Sequence, residues 1–332
     1  MSDLEPIKAA LDAIADPKGQ GGLLTSGRAT APRFSDGKAG LILDVTGLSR
    51  TEREALNAQV EAQLKQLPGV SEVRIAMTSE KIARPIIAVA SGKGGVGKST
   101  LSTNLAVALG RHGFRPGLVD ADIYGPSQPL LTGSEDKKPE AEGQKLIAVE
   151  TPIGVPLLSM GHLVRQGQAI AWRGPMAGNA LGQLIDAEWG NVDLLVADMP
   201  PGTGDVQLSM VQKHKPAGAV IVSTPQDLAL IDATRAIDLF NTAGVPIIGL
   251  IENMAGYVCP HCGEVSDPFG AGGAEAAARA LGVDFLGRIP LDIEIRTSSD
   301  AGKPPAAGNG PHAQMFDQVA ARIADWLHQH GG

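Results

Sequence analysis

Large aromatic rings are scarce in this chain. Its 332 residues include three tryptophans and two tyrosines, and aromatics make up only 3%. A core of this kind must be packed from Ala, Val, Ile and Leu, which suits buried parallel strands flanked by helices. A basic surplus is also missing: 28 Lys and Arg stand against 36 Asp and Glu, for a formal charge of -8. The chain therefore offers no electrostatic footprint for a phosphate backbone, and nucleic acid is disfavoured as a partner. No apolar run approaches transmembrane length, and Met1-Ser-Asp-Leu-Glu-Pro6 has neither a positive region nor an apolar stretch. The expectation is no membrane and a cytoplasmic address. Cysteine occurs twice, at Cys259 and Cys262, a ligand or redox spacing more than a structural disulfide.

The length admits one large α/β domain with a smaller attachment. Residues 1–80 read as a small α+β domain. Leu4 to Ile14 has helical apolar spacing, Ala39 to Val45 reads as a strand, and Ser49-Arg-Thr-Glu52 is a capping box opening a helix to about Leu67. A strand follows at Val70 to Met77 and a linker at 81–85. From residue 86 to 332, strands alternate with helices, the pattern of a mostly parallel sheet covered on both faces. The expected strands are Ile86 to Ala90, Arg115 to Asp120, Leu194 to Asp198, Gly218 to Ser223, Ile247 to Ile251 and Asp284 to Ile289. Gly302 to Pro311 reads as a surface loop. Met315 to Leu327 reads as an amphipathic helix that seals a core, with too few basic residues for a membrane anchor.

The first expected strand feeds into Ser91-Gly-Lys-Gly-Gly-Val-Gly-Lys-Ser-Thr100, after which Leu101 to His112 is helical. Strand, glycine loop and helix together make a P-loop, whose inward-turned amides and helix dipole suit a triphosphate. Gly92, Gly94, Gly95, Val96, Gly97 and Thr100 supply the cradle. Lys98 supplies charge to the β- and γ-phosphates, and the Ser99 hydroxyl is the expected Mg²⁺ ligand. Lys93 is not required by the ordinary motif and is available to neutralise charge across a dimer; otherwise it is a solvated loop charge. Asp120 and Asp122 end the second strand. Asp120 either faces Mg²⁺ through water or caps the following turn. Leu194-Leu-Val-Ala-Asp198 has the form of a Walker B element, with Asp198 facing Mg²⁺ through water and Gly202 able to approach a γ-phosphate.

Two thiolates cannot complete a four-ligand site. Two copies of the chain supply four, which fits either a bridging 4Fe-4S cluster or a Cys₄ zinc site. His261, between the cysteines, is expected to face solvent.

These motifs, with Trp172-Arg-Gly-Pro175, Asp198-Met-Pro-Pro-Gly-Thr-Gly204 and Cys259-Pro-His-Cys262, resemble the deviant Walker A ATPases, the group of the MinD/ParA proteins, the nitrogenase iron protein and the Mrp/ApbC iron-sulfur carriers. The resemblance spans residues 85 to 330, and the cysteine pair places it with the Mrp/ApbC carriers. It implies an ATP-dependent homodimer in which Lys93 reaches the partner's nucleotide, Asp122 orients the attacking water and Asn253 contacts adenine. It further implies a 4Fe-4S cluster received from a donor and passed to apo iron-sulfur proteins. The N-terminal module resembles the small domain that many bacterial members carry. It departs from that domain in reading Asp16-Pro-Lys18 and lacking cysteine, so a docking role is expected. Two other classes stay open: a ParA/MinD-like positioning switch and a zinc-stabilised dimeric scaffold.

Overall fold

The computed structural model describes residues 4–48, 50–79, 84–143, 145–163 and 174–330. Ser49 of the expected capping box, linker residues 81–83, and Trp172 and Arg173 lie outside the described residues. The chain divides into two compact units, Met1–Ala83 and Arg84–Gly332.

In the first unit, helix α1 (Glu5–Asp12) precedes strands β1 (Ala29–Ser35) and β2 (Lys38–Asp44), helix α2 (Arg50–Lys65) and strand β3 (Glu72–Thr78). The sheet order is β1-β2-β3, with β1 antiparallel and β3 parallel to β2. Strand β1 was not expected. It carries Pro32, breaks register between Thr30 and Arg33, and pairs on one side only, so its pattern is the irregular one tolerated at a sheet edge. Leu11, Leu43, Val60 and Leu64 form the centre of this core. The Asp16 turn is fixed by Arg28, whose Nε lies 2.6 Å from Asp16 Oδ1.

The second unit begins with strand β4 (Ile86–Ala90), helix α3 (Lys98–Leu109), strand β5 (Pro116–Asp120) and a short helix α4 (Gln128–Leu131). A small hairpin, β6 (Ala141–Glu142) and β7 (Lys145–Leu146), precedes strand β8 (Leu157–Ser159), helices α5 (Met160–Leu163) and α6 (Gly174–Ile185), and strand β9 (Leu194–Asp198). Helix α7 (Asp205–His214), strand β10 (Gly218–Ser223), helix α8 (Asp227–Thr242) and strand β11 (Ile247–Asn253) follow. A second hairpin, β12 (Tyr257–Val258) and β13 (Val265–Ser266), leads to helix α9 (Gly273–Leu281), strand β14 (Phe285–Ile289), and helices α10 (Ile293–Asp300) and α11 (Pro311–His330).

Seven strands form one sheet in the order β14-β11-β10-β4-β9-β5-β8, every pair parallel. The apolar runs of β4, β5, β9 and β10 are buried along their whole length, as a sheet covered on both faces requires. One face packs side chains of α6, α7, α8 and α9, and the other packs α3 and α11. Two expectations are corrected. Strand β8 went unread because three residues at an edge carry no periodicity. The Gly302 to Pro311 segment is not merely surface: Ala306 is fully buried, and its amide donates to Asn104 Oδ1 on α3 at 2.9 Å. Among the described residues, no helix is long and apolar enough to cross a membrane.

Candidate functional site

The central strand β4 ends at Ala90, and register places Val89 beside Asp198 and Asp120 beside Asp198 at the ends of β9 and β5. Two acidic strand ends therefore lie to one side of the glycine loop, at the carboxyl ends of a parallel sheet where ligands gather.

Two glycines of the loop are dictated by space. A Cβ on Gly92 would lie 2.0 Å from the Asp232 carbonyl of α8. Gly97, with φ +82°, would bring one to 2.2 Å from Asn253 Nδ2. Gly94 and Gly95 are exposed, whereas Val96 is buried beneath them. Ser91 Oγ donates to the Lys93 carbonyl at 2.8 Å, and the Gly202 amide donates to the Ser91 carbonyl at 3.0 Å. Gly97 is the N-cap of α3 and provides no side-chain cap, so the first amides of that helix remain available to an anion.

Beneath the loop lies a buried polar network. Lys98 Nζ sits 2.5 Å from Asp198 Oδ1, with Lys98 6% and Asp198 0% exposed. Ser102 Oγ donates to the same oxygen at 3.0 Å, and Gln128 Nε2 donates to Asp198 Oδ2 at 2.8 Å. Lys98 Nζ also lies 3.4 Å from Ser99 Oγ. Asp120 is fully buried; it accepts from Ser159 Oγ at 2.8 Å, the Gln128 amide at 3.1 Å and the Asp122 amide at 3.3 Å. Burial pushes its carboxyl up to about 7, and the nearby Asp198 charge adds to the rise. Asp122 accepts from the amides of Gly125 and Tyr124 at 3.2 and 3.3 Å. Burial raises it as well, against the opposing pull of Lys98.

Lys93 is half-buried, and among the described residues its ammonium has no hydrogen-bond or ion-pair partner. Thr100 is half-buried, and its carbonyl accepts from Asn104 Nδ2 at 2.8 Å. Asn253 reaches under the loop, its Nδ2 donating to the Val96 carbonyl at 2.7 Å. Sequence reasoning missed Gln128, Ser102, Ser159 and Glu252. Glu252 is fully buried and accepts from the Ala274 amide at 2.8 Å and from Arg288 Nε at 2.9 Å, fixing the start of α9 to the end of β11. A charged residue in an apolar strand was its one visible signal.

The cysteines occupy the tip of the β12–β13 hairpin. The Cys259 amide donates to the Glu264 carbonyl at 2.9 Å, and the Gly263 amide donates to the Cys259 carbonyl at 2.8 Å. Both thiols are free, Cys259 half-buried and Cys262 exposed. The Cys262 and His261 amides, in that order, and then the Cys262 thiol lower the Cys259 thiol from its ordinary value. This arrangement favours a thiolate ligand. The His261 side chain is exposed. Backbone bonds from Ala255 to Ile289 and from Leu291 to Gly256 anchor the approach to the hairpin. Among the described residues, Asp292, Glu294 and His312 form the only group of three or more such ligand types with atoms within 4.8 Å of one another. The cysteine pair thus has no third Cys, His, Asp or Glu ligand beside it among those residues.

Comparison with known proteins extends these observations. A family model described as NUBPL iron-transfer P-loop NTPase matches residues 82–324, and one described as iron-sulfur cluster assembly protein matches residues 4–75. An iron-sulfur cluster carrier protein of Deinococcus radiodurans is 42% identical over 330 residues, 95% of this chain and 93% of its own length. A protein of the same name from Pseudomonas fragi is 44% identical over 282 residues, 84% of this chain and 94% of its own. Among solved structures, a nucleotide-binding protein of Archaeoglobus fulgidus in complex with ADP is 40% identical, with a TM-score of 0.57 over 66% of this chain and 86% of its own. The cell division ATPase MinD of Pyrococcus furiosus, 24% identical, shares the fold with a TM-score of 0.56 over 73% of this chain and 99% of its own. The strand–loop–helix site and the family match over most of its length agree: the chain belongs to the family of NUBPL iron-transfer P-loop NTPases.

Proposed function

We propose that this protein is an ATP-binding and ATP-hydrolysing carrier that holds a 4Fe-4S cluster between two copies of itself and passes it to apo iron-sulfur proteins. The observation that carries the reading is the half-built cysteine site: an exposed hairpin presents two free thiols with amides aimed at one of them, and no third ligand stands beside them among the described residues. A second copy supplies the missing pair.

The nucleotide roles follow from the donor set. The uncapped start of α3 and the amides of Gly92, Gly94, Gly95, Val96, Gly97 and Thr100 suit phosphate oxygens. Lys98 would exchange Asp198 for the β- and γ-phosphates. A hydroxyl at Ser99 and a carboxylate at Asp198, both next to Lys98, suit Mg²⁺, with Asp198 acting through water; the ion, when bound, would neutralise phosphate charge. Asp122 would orient the attacking water. The three bonds on Asp120 favour a turn-organising role over metal contact. Lys93, which has no partner among the described residues, would reach the nucleotide of the second copy. Asn253 gives its amide nitrogen to Val96, which leaves Oδ1 to accept from the adenine amine and favours ATP over GTP. Gly202, bonded to Ser91, would link the phosphate loop to a change in how the two copies meet.

Anaerobic reconstitution followed by absorption spectroscopy, iron analysis and light scattering tests the carrier. The expected result is a brown dimer with about two irons per chain. A colourless zinc-bound dimer would replace the carrier with the scaffold reading. A lone chain holding a complete cluster would remove the shared site. Cluster transfer by Lys98→Ala at the wild-type rate would take nucleotide out of the mechanism.

A further inference from the structure

From a third element, α4, Gln128 bonds both the phosphate-loop helix and the carboxylate strand ends. It is fully buried at the start of α4, and every polar atom of its amide is matched. Nε2 donates to Asp198 Oδ2 at 2.8 Å and to the Ser99 carbonyl at 3.1 Å. Oε1 accepts from Thr103 Oγ1 at 2.5 Å. Its backbone amide adds a bond to Asp120 at 3.1 Å. The two groups that Nε2 holds belong to Ser99 and Asp198, the pair that would face Mg²⁺ from α3 and β9.

We infer that Gln128 is a positioning residue for the metal: it fixes the spacing between Ser99 and Asp198 so that both address one Mg²⁺ beside the nucleotide. The inference rests on the ATP-binding reading above. An amide is required at this position. A carboxylate would stand against Asp198 as a like charge, and an apolar side chain of the same length would leave Asp198 Oδ2 buried without its donor. Thr103 matters through the same contact, because its hydroxyl selects which face of the amide points toward Asp198. Lys98 holds the other oxygen of Asp198, so a nucleotide that draws Lys98 away leaves Gln128 and Ser102 to orient the carboxylate.

The test uses the full chain and its Gln128→Met variant. Calorimetry gives the ATP dissociation constant in EDTA and the Mg²⁺ concentration at which half of the added affinity appears. Removing a group that orients a metal-facing carboxylate costs about 10–100-fold in metal affinity. The expected result is a half-saturating Mg²⁺ concentration raised by about tenfold or more, with metal-free ATP affinity within about twofold of wild type. Parallel weakening of both affinities would mean a purely structural role and overturn the inference, as would wild-type Mg²⁺ dependence. If Gln128→Met does not fold, Thr103→Val decides. A several-fold rise in half-saturating Mg²⁺ at unchanged metal-free affinity supports the assignment, and wild-type behaviour removes it. A wild-type chain that binds no ATP would remove the nucleotide reading together with this inference, a result distinct from a Gln128→Met protein that matches wild type.

Discussion

The phosphate-loop site and the cysteine hairpin belong to the same unit but are built in opposite ways. Around the loop, Lys98, Asp120, Asp198 and Gln128 are buried and bonded to one another across β5, β9, α3 and α4. The hairpin holds its cysteines with little more than backbone bonds, and its valines, Val258 and Val265, are 55% and 67% exposed. The first network is bonded within a single chain, and its residues are buried in the fold. The other exposes two free thiols at a hairpin tip, and the fold has little stake in it. On the proposed reading this asymmetry suits a carrier, since a cargo site that must open and release cannot also hold the protein together.

Substitutions ranked by their cost to folding test the contrast. Lys98→Ala strands a fully buried Asp198 carboxylate and should cost about 3–5 kcal/mol, read from denaturant midpoints. A loss below about 1 kcal/mol would show that the network is not integral to the core. Asp120 gives a pH signature. Native Asp120 keeps a proton up to about 7, whereas the unfolded chain releases it near the ordinary carboxylate value. The native state therefore binds more protons in that window, and its stability falls as pH rises from about 4 to about 7, then levels. Asp120→Asn should flatten this slope, on the order of a few kcal/mol, whatever its absolute stability. Urea titrations across the window would show whether the slope survives.

Gly97→Ala comes next. A positive φ and a Cβ 2.2 Å from Asn253 Nδ2 should cost about 2 kcal/mol and break the Asn253–Val96 bond. A crystal structure of the variant with that bond intact would contradict the close approach. Cys259→Ser should be smallest for the fold, within about 0.5 kcal/mol by thermal or chemical melts, yet it should abolish retained iron. A large loss of stability there would overturn the contrast, and stoichiometric iron in the purified variant would overturn the ligand assignment.

Reading the sequence reached the glycine loop, Asp198 and the cysteine pair because each signal is local: a strand, then a glycine run or an acidic end, or two cysteines at ligand spacing. The six strands expected in the second unit are present, most within a residue or two of their bounds. Strands β1 and β8 were not legible: Pro32 and a register break interrupt β1, and β8, although buried, is only three residues long. Gln128 was not legible either: its main partner, Asp198, lies 70 residues away, and nothing beside a glutamine in a Ser-Gln-Pro stretch shows what it will meet. The contact of Asp120 with Ser159, 39 residues onward, was equally hidden from the sequence.

By itself the sequence determined the parallel α/β architecture, the phosphate loop and the presence of one isolated pair of thiols, because apolar periodicity, glycine content and ligand spacing act over a few neighbouring residues. Only the tertiary structure decided which carboxylates are buried, which oxygen each donor holds and that Gln128 stands between Ser99 and Asp198. Those facts depend on the desolvation and pairing of groups that are far apart in the chain and become neighbours only when the sheet closes.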